Sequence, residues 1–149
     1  MAVGENKLAF RHTYEEVFNR ADLAVTDEVI APDLVDREEH PGNVPGPEAV
    51  RTVATMLRTA FPDLHFTVEE LVAEGDLVAA RLTMRGTHDG PLMGMPPTGC
   101  AVERAHMHFV RFRDGRAVEH RAVRDDVSML RQLGVIAEPR SAGHAESGG

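Results

Sequence analysis

Residues 85–134 read RGTHDGPLMGMPPTGCAVERAHMHFVRFRDGRAVEHRAVRDDVSMLRQLG. A strand ends at His88, and a Gly/Pro/Met loop fills residues 90–99. Val102–Arg113 then alternates apolar and polar residues, as a half-buried strand does. Asp114-Gly115 is a hairpin turn signal, and Arg116–Arg124 is the returning strand. Asp125 or Asp126 caps a closing helix with Val127, Leu130 and Leu133 on one side, and Gly134 suits its C-terminal end. Four of the eight histidines lie in this stretch.

Upstream, Asn6 to about Arg20 reads as a helix, because Phe10, Tyr14, Val17, Phe18 and Ala21 recur at helical spacing. Residues 1–5 read as a flexible start. Asp22 is placed to cap a short helix, Leu23–Ile30, that Pro32 ends. A brief strand follows at Leu34–Arg37, then a Gly/Pro loop from Glu38 to Gly46. Pro47 opens a third helix, with Val50, Val53, Ala54, Leu57, Ala60 and Phe61 on its buried side. Leu64–Ala73 and Leu77–His88 are strands joined by a turn at Glu74-Gly75-Asp76. Helices first and a strand meander afterwards indicate an α+β fold, with helices on one side of an antiparallel sheet. One domain is expected over residues 6–137, with a disordered Gly/Ser/Ala-rich tail over 138–149.

A length of 149 residues suits one core and one pocket. The formal net charge of -8 and the absence of a basic stripe argue against nucleic acid as a partner. The lone cysteine, Cys100, cannot form an internal disulfide and fits a reducing cytoplasm. No apolar run approaches the ~18 residues of a membrane span, so no membrane association is expected. No dinucleotide-binding glycine motif or phosphate loop is present.

The chain resembles the SnoaL-like polyketide cyclase family. That family typically shows G-T-H-x-G, a G-x-P-P-T-G loop, a strand, a D-G turn, an E-H-W-D strand and a terminal L-x-x-L-G. Here these stand as Gly86-Thr87-His88-Asp89-Gly90, Gly94-Met95-Pro96-Pro97-Thr98-Gly99, Asp114-Gly115, Glu119-His120-Arg121-Ala122 and Leu130-Arg131-Gln132-Leu133-Gly134. The likeness reaches back to Leu8. It implies the cone-shaped fold shared with ketosteroid isomerase and nuclear transport factor 2, a curved sheet wrapped around helices with one internal pocket. It also implies a cofactor-free cyclase, lyase or isomerase of secondary metabolism, such as antibiotic biosynthesis. Its substrate would be an apolar, oxygenated small molecule, and homodimers through the exposed sheet face are common. The family's Trp-Asp pair, whose Asp is the expected acid/base, is Arg121-Ala122 here.

Strand alternation places Arg104, His106 and His108 on one face, and His120, Ala122 and Arg124 on one face of the next strand. Histidine suits proton transfer at neutral pH. His108 or His120, with His106 beside them, is therefore the expected replacement for the missing carboxylate. The competing reading makes these histidines hydrogen-bonded scaffold and the protein a binding module of a biosynthetic pathway. A third reading gives the fold an oxidative accessory role. Tyr14, Phe18, Arg37, His88, Met93, Met95 and Arg104 are candidate substrate contacts. His88 matches the family motif, and Arg37 has a fork suited to an enolate or carboxylate oxygen. Met93 and Met95 sit on a loop that adapts to apolar ligands. No metal site is expected, because His-x-His on a strand is a weak signal.

Overall fold

The computed structural model describes residues 2–38 and 46–137. The expected tail and residues 39–45 of the expected loop lie outside the described residues. Helix α1 spans Ala2–His12 and continues into a π-helical segment, Thr13–Asn19. The first helix thus begins at Ala2 rather than Asn6. Thr13 Oγ1 donates to the Ala9 carbonyl at 2.8 Å, a back-bond that loosens a helix where it widens. The wide turn buries Thr13, Tyr14, Val17 and Phe18.

A 3₁₀ turn, Leu23–Val25, precedes the short α2, Thr26–Val29. Asp22 makes no side-chain cap on this turn. Strand β1 then runs Ile30–Asp36 and contains Pro32, which was expected to terminate a helix. An edge strand tolerates a residue without N–H, and the β1–β5 register shifts between Ile30 and Val35, around the proline. Helix α3, Pro47–Ala60, starts as expected and buries Ala49, Ala54, Leu57 and Ala60.

The remaining strands are β2 (His65–Glu74), β3 (Leu77–Thr87), β4 (Ala101–Arg113) and β5 (Arg116–Arg124), closed by α4 (Asp126–Gln132). They lie in the order β1-β5-β4-β3-β2. β2 to β5 form an antiparallel meander, but β1 pairs parallel to β5, so the curved sheet is mixed rather than wholly antiparallel, and it is not closed. Asp114 and Gly115 both take positive φ, 51° and 77°, as the tightest hairpin turn requires. Asp125 is the cap of α4, its side chain accepting from the Ser128 N–H.

β4 alternates without a break. Val102, Arg104, His106, His108, Val110 and Phe112 are buried, and the residues between them are exposed. The buried face meets Phe10, Tyr14 and Phe18 from the N-terminal helix and Phe61 from the end of α3. Apolar burial of this kind stabilises by roughly 25 cal/mol per Å², and here three polar side chains share it.

Candidate active site

Two neighbouring cavities lie between sheet and helices. The larger has a volume of about 570 Å³ and is lined by Arg104, His106, His108, Leu92, Met93, Met95 and Phe61, among others. The smaller is about 70 Å³, and Asp36 and His120 face it amid Ile30, Leu34, Val110 and Phe112. Tyr14, Phe18, Glu38, Val53 and Arg124 line both. These shared residues join the two into one internal space between sheet and helices, as expected.

A hydrogen-bonded chain runs through the wall between them. Arg104 Nη1 pairs with Asp126 Oδ1 at 2.8 Å, and Arg104 Nε donates to His106 Nε2 at 3.0 Å. His106 Nδ1 lies 3.2 Å from His108 Nε2. His108 Nδ1 lies 2.8 Å from His120 Nε2. His120 Nδ1 lies 3.1 Å from Asp36 Oδ1. Strand register explains the order: His108 pairs with Ala122 and Val110 with His120 across β4 and β5, while His120 pairs with Asp36 across β5 and β1.

Donor chemistry assigns the protons. A guanidinium nitrogen only donates, so His106 Nε2 must accept and its proton sits on Nδ1. His108 Nε2 then accepts, its proton sits on Nδ1, and the same holds for His120. Each ring carries a single N–H, all pointing toward Asp36. An imidazolium anywhere in the chain sets two N–H groups face to face.

Electrostatics agree with a neutral His106 and a neutral His108. Burial, with Arg104, Arg124 and His120 nearby, pushes His106 down to about 2. Burial first, then His120, His106 and the two arginines, holds His108 well below the usual imidazole value. Burial likewise lowers Arg104, with Asp126 opposing. Tyr14 is raised, chiefly by burial, so its phenol stays protonated. Its Oη stands 3.3 Å from His108 Nδ1 and 3.4 Å from Nε2. Phe18 stacks on the Tyr14 ring at 4.8 Å.

Of the expected contacts, Tyr14, Phe18, Met93, Met95 and Arg104 line the large cavity. Arg37 and His88 line neither. Alternation turns Asp36 inward and Arg37 outward, where it pairs with Glu119 at 3.3 Å. His88 is buried and holds the loop: its Nδ1 accepts from the Thr98 N–H at 3.3 Å, leaving Nε2 without a hydrogen-bond partner among the described residues. Sequence reasoning passed over Asp36, Glu38, Arg124 and Asp126. Asp36 and Glu38 stand two apart at the end of a strand, and that spacing was the available signal. Asp36, Glu38 and His120 bring possible metal-ligand atoms within 4.8 Å of one another, though Arg124 already pairs with Glu38.

The SnoaL-like polyketide cyclase profile matches residues 9–133. The chain belongs to the SnoaL-like polyketide cyclase family. Within it, the chain is 35% identical over 120 residues to the nogalonic acid methyl ester cyclase of Streptomyces nogalater, covering 78% of this chain and 89% of that one. It is 37% identical over 97 residues to the aklanonic acid methyl ester cyclase DnrD of Streptomyces peucetius, covering 64% and 67%. The crystal structure of IdmH from Streptomyces antibioticus superposes with a TM-score of 0.74 at 41% identity, over 87% of this chain and 98% of that one.

Proposed function

We propose that this chain is a cofactor-free cyclase that closes a carbon ring in a polyketide-like, apolar, oxygenated substrate by proton transfer through histidine. The observation that carries the reading is a hydrogen-bonded run of three histidines, two of which, His106 and His108, line a 570 Å³ cavity. An aldol-type closure removes a proton beside one carbonyl. The enolate carbon then attacks a second carbonyl, and the resulting alkoxide takes the proton back.

His108 Nε2 is the base. It accepts across the longest link between the histidines, 3.2 Å, and so is the lone pair most easily released. A substrate oxygen that takes the His106 N–H frees that lone pair and gains a donor in one movement. The Tyr14 hydroxyl supplies a second donor, and Arg104 and Arg124 sit close enough to favour the developing negative charge. His106 works as a neutral imidazole donor, which its depressed basicity keeps neutral at pH 7. Leu92, Met95, Phe61 and Phe66 give the rest of the wall its apolar character.

Two further expectations accompany this reading. The lone Cys100 supports a reducing, cytoplasmic setting. Among the described residues no helix is long and apolar enough to cross a membrane. The outward face of β4 and β5 supports a homodimer, because Met107, Phe109 and Val123 stand exposed there.

The test is turnover of aklanonic and nogalonic acid methyl esters by the purified chain. His108→Ala should lower kcat by roughly 10²–10⁴-fold, the usual worth of a positioned acid or base. Undiminished turnover in that variant refutes the assignment.

A further inference from the structure

We infer that Asp36 is the terminal proton acceptor of the site, reached from the large cavity through His108 and His120 by a relay whose direction Arg104 sets. The inference rests on the histidine reading above and adds to it the carboxylate that does the work of the one missing at Ala122. Asp36 faces only the small cavity, and His108 only the large one. His120 stands between the two and offers a path to Asp36 for a proton taken in the large cavity. The 2.8 Å and 3.1 Å links through His120 are the crossing.

The substrate C–H bond breaks as an N–H bond forms at His108 Nε2. His108 gives its Nδ1 proton to His120 Nε2, and His120 gives its Nδ1 proton to Asp36. Both rings end neutral with their tautomers reversed, Asp36 ends as a carboxylic acid, and its former charge resides on the enolate oxygen. Return of the proton along the same path protonates the alkoxide and restores every tautomer. No imidazolium is formed beside Arg104 and Arg124, where it would be costly. Arg104 keeps His106 out of this reversal, because its Nε–H can face only a lone pair on His106, whose Nδ1–H stays on the substrate oxygen.

The first test needs no substrate. Nitrogen-15 NMR of the histidine side chains at pH 7.5 should show His106, His108 and His120 all protonated on Nδ1 alone. An Nε2–H tautomer or an imidazolium among them overturns the relay. Arg104→Met should release His106 from its fixed tautomer. Asp36→Asn, of the same shape, keeps an oxygen for His120 and so keeps the tautomers, but it cannot accept the proton.

The second test uses 5-nitrobenzisoxazole, an apolar carbon acid that reports proton removal as release of a coloured phenolate. Asp36→Asn should lower kcat about 100-fold or more with KM within about threefold. Equal kcat in Asp36→Asn and the unaltered chain, or an unaltered chain no faster than His108→Ala, overturns the proposal. A chain inert toward both methyl esters but showing the Asp36 dependence would refute the substrate reading and leave the relay standing.

Discussion

His106 and His108 are held neutral in the folded protein, while in the unfolded chain each protonates near its ordinary value of 6.5. As pH falls through 6.5 the unfolded chain takes up protons that the native state refuses. The stability these residues contribute is therefore complete above 6.5 and drains away as the solution is acidified. Each histidine removes about 1.4 kcal/mol per pH unit once titration of the unfolded form is complete. For His106 that window extends from 6.5 toward 2. Urea unfolding between pH 7.5 and 4.5 should show this decline, with a limiting slope of about two protons. His106→Gln should reduce the slope to about one. A flat profile in the unaltered chain contradicts the neutral assignment. The acidic groups lowered in the folded state, Asp33 and Asp63, act at lower pH and leave this window clear.

At the scale of the element, the loop over residues 90–99 is tied to α3. Gly90 N–H donates to the Ala60 carbonyl at 3.1 Å, and a Cβ on Gly90 would fall 2.0 Å from the Thr59 carbonyl oxygen. The contact is backbone on backbone, so neither side can yield by turning a side chain. Gly90→Ala should cost about 1–3 kcal/mol as the loop is forced off the helix. Melting temperature should fall by about 2–4 °C for each of those kcal/mol in a protein of this size. An unchanged melting temperature would show that the loop moves freely. The strands were the most legible elements, because a period of two in β4 sorts side chains without knowledge of partners. β1 was less so, since Pro32 signals a break in any element but is admitted on a sheet edge. Asp36 was hidden for another reason: an inward carboxylate and an outward arginine differ by one position, and nothing in so short a charged run says which of them faces the core.

For the molecule as a whole, the outer face of the sheet joins apolar and charged residues. Phe109 and Met107 are each 51% exposed and Val123 70%, flanked by Arg85 paired to Glu103 and Arg111 paired to Asp76. Light scattering should report a dimer, and Phe109→Lys with Met107→Lys should yield a monomer with an unchanged circular dichroism spectrum. A monomeric unaltered chain would leave this face without that role. The helices-then-strands order was enough to reach α+β, and the motif run over 86–134 was enough to reach the family. The site was not so accessible. His106 and His108 are neighbours in sequence and were found together, but Asp36 and His120 stand 84 residues apart, and only the pairing of β1 with β5 reveals that they meet.

That separation has a consequence for how the chain comes together. β2 to β5 each pair with the strand next to them in sequence, whereas β1 must wait for the last strand and closes the longest loop in the sheet. At about 5–20 residues per second of synthesis, Asp36 precedes His120 out of the ribosome by about 4–17 s. Through that interval Ile30 and Leu34, buried in the finished protein, have no strand to lie beside. In refolding, amide protection of the β3–β4 hairpin should precede the appearance of the His120 Nδ1–H signal. The proposed relay would then be the last thing the protein acquires, and its arrival would mark a molecule whose first and last strands have found each other.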